Sequence, residues 1–185
     1  MKTSWTKRGA LLRSLMAAAV AGLALAQGPP AGSEPPKLHG QTLDGKAIVL
    51  PDSVAGKVTL LVLGASKKGG ERTGPWKDHF VADFGSNPHA SYYVVALLQS
   101  VPAVFRGMIR AGMRSGTPVG ARAHVLTSAS DDPAWKKYLA LSDDSLPGVL
   151  LLDDVGRPRW SYIGVFDPEH YEALKTATTA ALERH

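Results

Sequence analysis

A nearly continuous apolar run from Val58 to Leu63 is followed by a second at Tyr92 to Leu98 and a third at Gly148 to Leu152. Runs of this length, apolar on both faces, predict strands buried in the middle of a sheet. Between the first two, Trp76, Phe80, Val81 and Phe84 recur at helical spacing and predict a helix. Val101 to Ser115 predicts another, with Phe105, Ile109 and Met113 at i, i+4 and i+8 on one face. A short strand is predicted at His124 to Thr127. The helix after it is expected to be capped by Asp131 or Asp132, with Pro133 at its first position. Ala47 to Leu50 reads as a short strand ending in a Pro51-Asp52 turn. At the other end, a turn at Asp153 to Gly156 joins Gly148 to Leu152 to a strand at Arg159 to Ile163, and a last helix begins at Asp167-Pro168. Alternation of strands and helices in this order predicts an α/β domain built on a central sheet, with antiparallel strands added by a terminal hairpin.

Chain organisation changes the meaning of the charge. Hydrophobic residues make up 44% of the 185, enough for one ordinary globular core. The formal net charge of +5 suggests nucleic acid until the basic residues are located. Lys2, Lys7, Arg8 and Arg13 all fall in the first 26 positions, which hold no acid, and without them 17 bases face 16 acids. The remaining +1 gives no ground for expecting a nucleic-acid partner. Residues 1–26 have the three parts of an export signal: a basic start, an apolar stretch from Leu15 to Ala26, and small residues at Ala24 and Ala26. The stretch is well short of the ~20 residues that span a bilayer, so cleavage and export to the periplasm or cell envelope are expected, an uncleaved anchor being the variant case. A mitochondrial transit segment fits less well, since the run is too continuous to be amphipathic. Residues 27–36 are rich in proline and glycine and read as a linker, which starts the folded domain at Lys37.

The run Gly56-Lys57-Val58-Thr59-Leu60-Leu61-Val62-Leu63-Gly64-Ala65-Ser66 resembles the strand that leads into the active site of exported thioredoxin-like proteins of the TlpA/AhpC-TSA type. Ser145-Leu146-Pro147-Gly148, the strand after it, Gly156-Arg157 and Gly164 are similar to that family's cis-proline loop, strand and hairpin. The resemblance covers roughly residues 38–182. It implies a thioredoxin-like three-layer sandwich, a central mixed sheet with helices on both faces. It also implies a cis bond at Leu146–Pro147, facing the former active-site loop. In the family's register the CxxC positions fall on Lys68-Gly69-Gly70-Glu71. A narrower resemblance, carried by Arg159-Trp160, Gly164 and Glu169 and by the position of the helix from Val101 to Ser115, is to the redox-inactive thioredoxin-like assembly factor of mitochondrial ATP synthase.

The chain has no cysteine. Thiol exchange needs a thiolate nucleophile and a second sulfur, and peroxidase chemistry needs an oxidisable thiol, so neither activity is expected. Lys67-Lys68-Gly69-Gly70 could form an anion-binding turn, yet without full phosphate-loop spacing it reads first as a solvated loop. The histidines show no metal-binding spacing, and no metal or cofactor is expected. The doublets at Asp131, Asp143 and Asp153 read as caps and turns rather than paired carboxylates. Arg106, Arg110 and Arg114 form a basic stripe at i, i+4 and i+8, expected on a solvated face; the sharper reading has it meet anionic head groups or an acidic partner. Arg159 and Trp160 complete the expected partner surface. The expected function is binding of a protein partner in the cell envelope, in assembly of a membrane complex; the other reading is a small-anion binder or non-thiol enzyme that reuses the 67–71 loop.

Overall fold

In a computed structural model, residues 33–184 and Pro29 are described. The expected signal segment lies outside them. Seven strands form one sheet: β1 (Leu38–Thr42), β2 (Ala47–Leu50), β3 (Val58–Gly64), β4 (Ala90–Leu97), β5 (Val125–Ser128), β6 (Gly148–Leu152) and β7 (Pro158–Ile163). Their order across the sheet is β2-β1-β5-β4-β3-β6-β7. β3, β4 and β5 are parallel, while β6, β7, β1 and β2 pair antiparallel on either side. The three long apolar runs of the sequence thus lie inside a mixed sheet, as their two-faced hydrophobicity predicts.

The period of two along β3 divides the core. Val58, Leu60 and Val62 join Val149 and Leu151 on one face, and Leu61 and Leu63 join Leu150 and Leu152 on the other. The first face is covered by α2 (Gly74–Phe84) and α5 (Pro168–Leu182), through Trp76, Phe80, Phe84, Tyr171 and Leu174. The second is covered by α4 (Asp132–Leu139), through Trp135 and Leu139. A short α1 (Lys67–Glu71) follows β3, and α3 (Ala103–Gly116) connects β4 to β5. The β3-α2-β4 and β4-α3-β5 crossovers advance in one direction across the sheet, and right-handed connections put α2 and α3 on the same face.

Several details depart from the sequence pattern. β1 escapes it because Gly40 interrupts the alternation of Leu38 and Thr42. Glycine is required there, since a Cβ would lie 2.8 Å from both the Leu126 side chain and the Thr127 carbonyl oxygen. In α2, Trp76, Phe80 and Phe84 are buried but Val81, one position further round, is exposed. No residue of helix α3 is fully buried: Ile109 and Met113 are half-buried and Phe105 is exposed, so the three do not form a core face. Asp131 occupies the N-cap position of α4 without capping it: its carboxylate accepts from the His39 N–H at 2.7 Å instead, and Asp132 accepts from the Gln99 N–H at 2.5 Å. Asp167 does cap α5, accepting from the His170 N–H at 3.0 Å. Contact with the domain also begins before Lys37. Pro35 is buried, and the Tyr138 hydroxyl donates to the Ser33 carbonyl at 3.1 Å, so residues 33–36 lie against the domain rather than outside it.

Candidate functional site

Strand β3 delivers the chain at Gly64 to the position where the family resemblance puts an active site. A Cβ on Gly64 would come within 2.7 Å of the Gly70 Cα, so the end of the strand and the back of α1 are in backbone contact. Ser66 caps α1, its Oγ accepting from the Gly69 N–H at 3.1 Å. The same hydroxyl donates to the Asp144 carbonyl at 2.6 Å. Arg72, just past the helix, donates from Nη1 to the Ser145 carbonyl at 2.8 Å. Gly69 is buried in the seam between them; a Cβ there would sit 2.5 Å from the Asp144 oxygen and 3.4 Å from that of Leu146. Three carbonyls of the loop before β6 therefore rest on α1 and Arg72.

The expected proximity of the 67–71 and 146–147 segments is present, but the expected proline isomer is not. Leu146–Pro147 is trans; the cis bond among the described residues is Leu50–Pro51. Trans is the ordinary X–Pro state, and the seam is made by carbonyls before Pro147. The Pro147 carbonyl in turn accepts from the Gly164 N–H at 3.1 Å, and the buried Trp76 indole donates to the Gly164 carbonyl at 3.1 Å. Gly164 thereby ties the loop to the α2 core.

The two residues at the CxxC positions stand outside this seam. Lys68 and Glu71 are exposed, and Glu71 pairs loosely with Lys67 at 3.9 Å, both side chains well solvated. Asp143 is held below the usual carboxylate range, first by the Ser145 N–H and then by the charges of Lys68 and Arg72. Lys136 spans the Asp144 carboxylate at 2.6 and 2.8 Å. The anion-binding reading of the double glycine finds little to work with. The Gly69 N–H is taken by the Ser66 hydroxyl, the Gly70 N–H by the Ser66 carbonyl at 2.8 Å, and α1 has only five residues. No three His, Asp or Glu side chains converge as metal ligands would among the described residues.

Arg159 and Trp160 belong to other structures. The Arg159 guanidinium holds the buried Asp153 carboxylate at 2.6 and 2.8 Å, and Asp153 also accepts from the Val155 and Arg157 N–H groups of the hairpin turn. Trp160 is half-buried, its ring 6.0 Å from that of Trp76. The arginine stripe of α3 also turns from the expected direction. Arg106 and Arg110 are half-buried and donate to backbone carbonyls of the domain, and Arg114, though exposed, donates to the Leu43 carbonyl. Sequence reasoning missed Ser66, Arg72 and Ser145 as the fastening of the seam. The visible signal was Ser66 three residues before a glycine, an N-cap arrangement.

Solved structures share this architecture. A protein described as the thiol:disulfide interchange protein DsbE of Chlorobium tepidum superposes with a TM-score of 0.56 at 21% identity, over 83% of this chain and 99% of that one. The fold is thioredoxin-like. One described as a protein disulfide isomerase from Bacteroides thetaiotaomicron gives 0.58 at 19%, over 86% and 95%. BsSco, a member of the Sco family of cytochrome c oxidase assembly proteins, gives 0.54 at 12%, over 82% and 96%. No protein-family model matches the chain, and no curated protein is significantly similar to it. At these identities the likeness carries the fold alone, and this thioredoxin-like domain has no cysteine to put at the site.

Proposed function

We propose that this chain is a redox-inactive thioredoxin-like protein of the cell envelope, which binds a protein partner in the assembly of a membrane complex. One observation carries the reading: the active-site position of the fold holds no thiol and is closed by structural bonds, from Ser66 to Asp144 and from Arg72 to Ser145. A thiolate cannot be replaced by Lys68 or Glu71 in disulfide exchange, and these two exposed side chains have no third group orienting them for other catalysis. What the fold keeps is a rigid surface around α1, Pro147 and Val165. The exposed Val165 follows the Gly164 that anchors the proline loop. Export is supported by the signal-like residues 1–26. The Sco relationship supports the assembly role only by precedent, since it places one use of this fold in building a membrane enzyme.

The test is photo-crosslinking in cells, with a photoreactive amino acid at Val165 or Lys68 of the full chain and at Lys137 on α4 as control. A discrete envelope protein captured from the first two positions and absent from the third is the expected result. Turnover of insulin, glutathione disulfide or hydrogen peroxide by the purified chain, or no position-dependent capture, would overturn the reading.

A further inference from the structure

Helix α3 is built inside out. Its inward face carries arginines beside the half-buried Ile109 and Met113: Arg106 donates to the carbonyls of Val101 and Gln99 at 2.8 and 3.0 Å, Arg110 to the Thr42 carbonyl at 2.7 Å and to the Gln41 side chain, and Arg114 to the Leu43 carbonyl. These acceptors are neutral, and the carboxylates that feel the stripe, Asp44 from Arg114 and Asp132 from Arg106, do so from beyond ion-pair distance. No carboxylate forms an ion pair with any of the three among the described residues. Its outward face is apolar. Val104 is 80% exposed, Met108 68% and Phe105 50%, and Val119 in the following 3₁₀ turn is 76% exposed. A Cβ on Gly107, Gly112 or Gly116 would meet nothing within 4 Å, so nothing packs along those positions. Among the described residues, four of the seven large exposed apolar side chains thus fall within one segment, a concentration that scattered surface residues do not show.

Charge selects the occupant of this face. Between Asp83 and Asp131 there is no acidic residue, while Arg106, Arg110, Arg114 and Arg122 all lie there. A second copy would bring two such faces together, like charge against like, which the field opposes. We propose that α3 docks in the plane of an anionic bilayer, with Val104, Phe105 and Met108 at the acyl boundary and Arg114 and Arg122 at the level of the phosphates. This is the physical pattern of an interfacial helix: apolar outward, cationic behind, and too polar overall to span. The inference goes beyond the protein-partner reading and does not rest on it.

The absence of cysteine allows a clean test on the full chain. Met108→Cys on α3 and Lys137→Cys on α4, each carrying an environment-sensitive fluorophore, are mixed with phosphatidylglycerol or phosphatidylcholine vesicles that contain a lipid-borne quencher. The label at 108 is expected to be quenched with the anionic vesicles and not the neutral ones, and the label at 137 with neither. Because the two positions are compared within one chain, insertion of residues 15–26 would not produce this contrast. Adding Arg114→Gln to the 108-labelled chain should weaken vesicle affinity about fivefold, the effect of one basic residue near an anionic surface. Equal quenching at both positions, equal quenching by both lipids, or no quenching at 108 would overturn the proposal. So would a change at 108 that depends on protein concentration without vesicles, which would assign the face to a second copy.

Discussion

Helices α2 and α3 lie on the same face of one sheet and both carry apolar residues at helical spacing, yet they are held by opposite means. α2 turns Trp76, Phe80 and Phe84 into the core, where Trp76 packs against Trp160, Tyr162 and Phe166 with ring separations of 5.3 to 6.0 Å. It is clasped to α5 at its rim, where the Tyr171 hydroxyl donates to Asp83 at 2.9 Å and Lys175 approaches the same carboxylate at 3.2 Å. Burial and the adjacent Asp83 charge push the Tyr171 hydroxyl well above the usual tyrosine range, so it stays a donor at any physiological pH. α3 instead turns its arginines onto backbone carbonyls, of which that of Thr42 accepts from the Gly45 N–H as well. Periodicity predicts that a helix forms, because the spacing belongs to the helix alone. Which face turns inward depends on what the neighbouring surface offers, and the exposed ends of β1 and β4 offer carbonyl oxygens rather than an apolar groove.

Truncating one large apolar side chain on each helix separates the two modes of attachment. Trp76→Ala should cost about 3–5 kcal/mol of unfolding free energy, since it empties a fully buried site and leaves the Gly164 carbonyl unpaired. Met108→Ala should stay within about 0.5 kcal/mol. Urea midpoints of the two variants measure the difference, and comparable losses would mean that α3 is packed in a way its exposure denies. Next in size is the seam between α1 and the loop before β6. Gly69→Ala places a methyl 2.5 Å from the Asp144 oxygen and should cost about 1–3 kcal/mol, whereas Gly70→Ala, with open space beside it, should stay within about 0.5 kcal/mol.

The legible parts of this protein were those where one physical signal acts alone. β3 and β6 are strands buried on both faces, and their composition announces it; β4 buries Val95 and Leu97 on one face and leaves the other half-buried. The resemblance at residues 56–66 and 145–148 predicted that the 67–71 segment lies against the proline loop, and the seam is there, with a trans rather than a cis bond. Illegible were the parts where a side chain serves a distant backbone group. Nothing near Asp131 or Asp132 in sequence shows that their carboxylates are taken by His39 and Gln99 across the sheet. Nothing in the Arg106 stripe shows that β1, more than sixty residues earlier, supplies acceptors to Arg110. β1 itself was hidden by Gly40, whose missing side chain is what lets the strand approach β5.

A smaller effect would sharpen the claim that α3 is fastened by its arginines rather than by its own helical stability. Three glycines in fourteen residues make this a poor helix, and a Cβ added at Gly112 would have open space. Gly112→Ala should stabilise α3 by about 1 kcal/mol. No residue of α3 is fully buried and the helix can open separately, so the gain belongs in the hydrogen-exchange protection of amides 106–114 more than in the global transition. A gain confined to the global transition would mean that α3 unfolds only with the rest.

The smallest expected effect concerns the mooring of Arg106. It donates to the Gln99 carbonyl, and the N–H of the same residue donates to Asp132, whose second carboxylate oxygen has no partner. Burial is the largest influence on Asp132 and raises its pKa, against the opposing pull of the Gln99 N–H and the Arg106 charge. The folded chain therefore holds this proton to higher pH than the unfolded chain does. The sign follows from linkage: the contribution is fully present below the ordinary Asp value of ~3.9 and is lost as pH rises through the folded value. Asp132→Asn keeps an oxygen to accept from Gln99 and has no charge to bury. Its stability relative to the unmodified chain should be constant in acid and improve as pH rises to neutral, because burial of the charge outweighs the Gln99 N–H and the Arg106 charge. Thermal midpoints of both chains across that range read the trend. A difference that stays flat, or one that turns against the asparagine as pH rises, would mean that the ionised carboxylate itself helps hold Arg106, and α3 would then be fastened by an ion pair as well as by carbonyls.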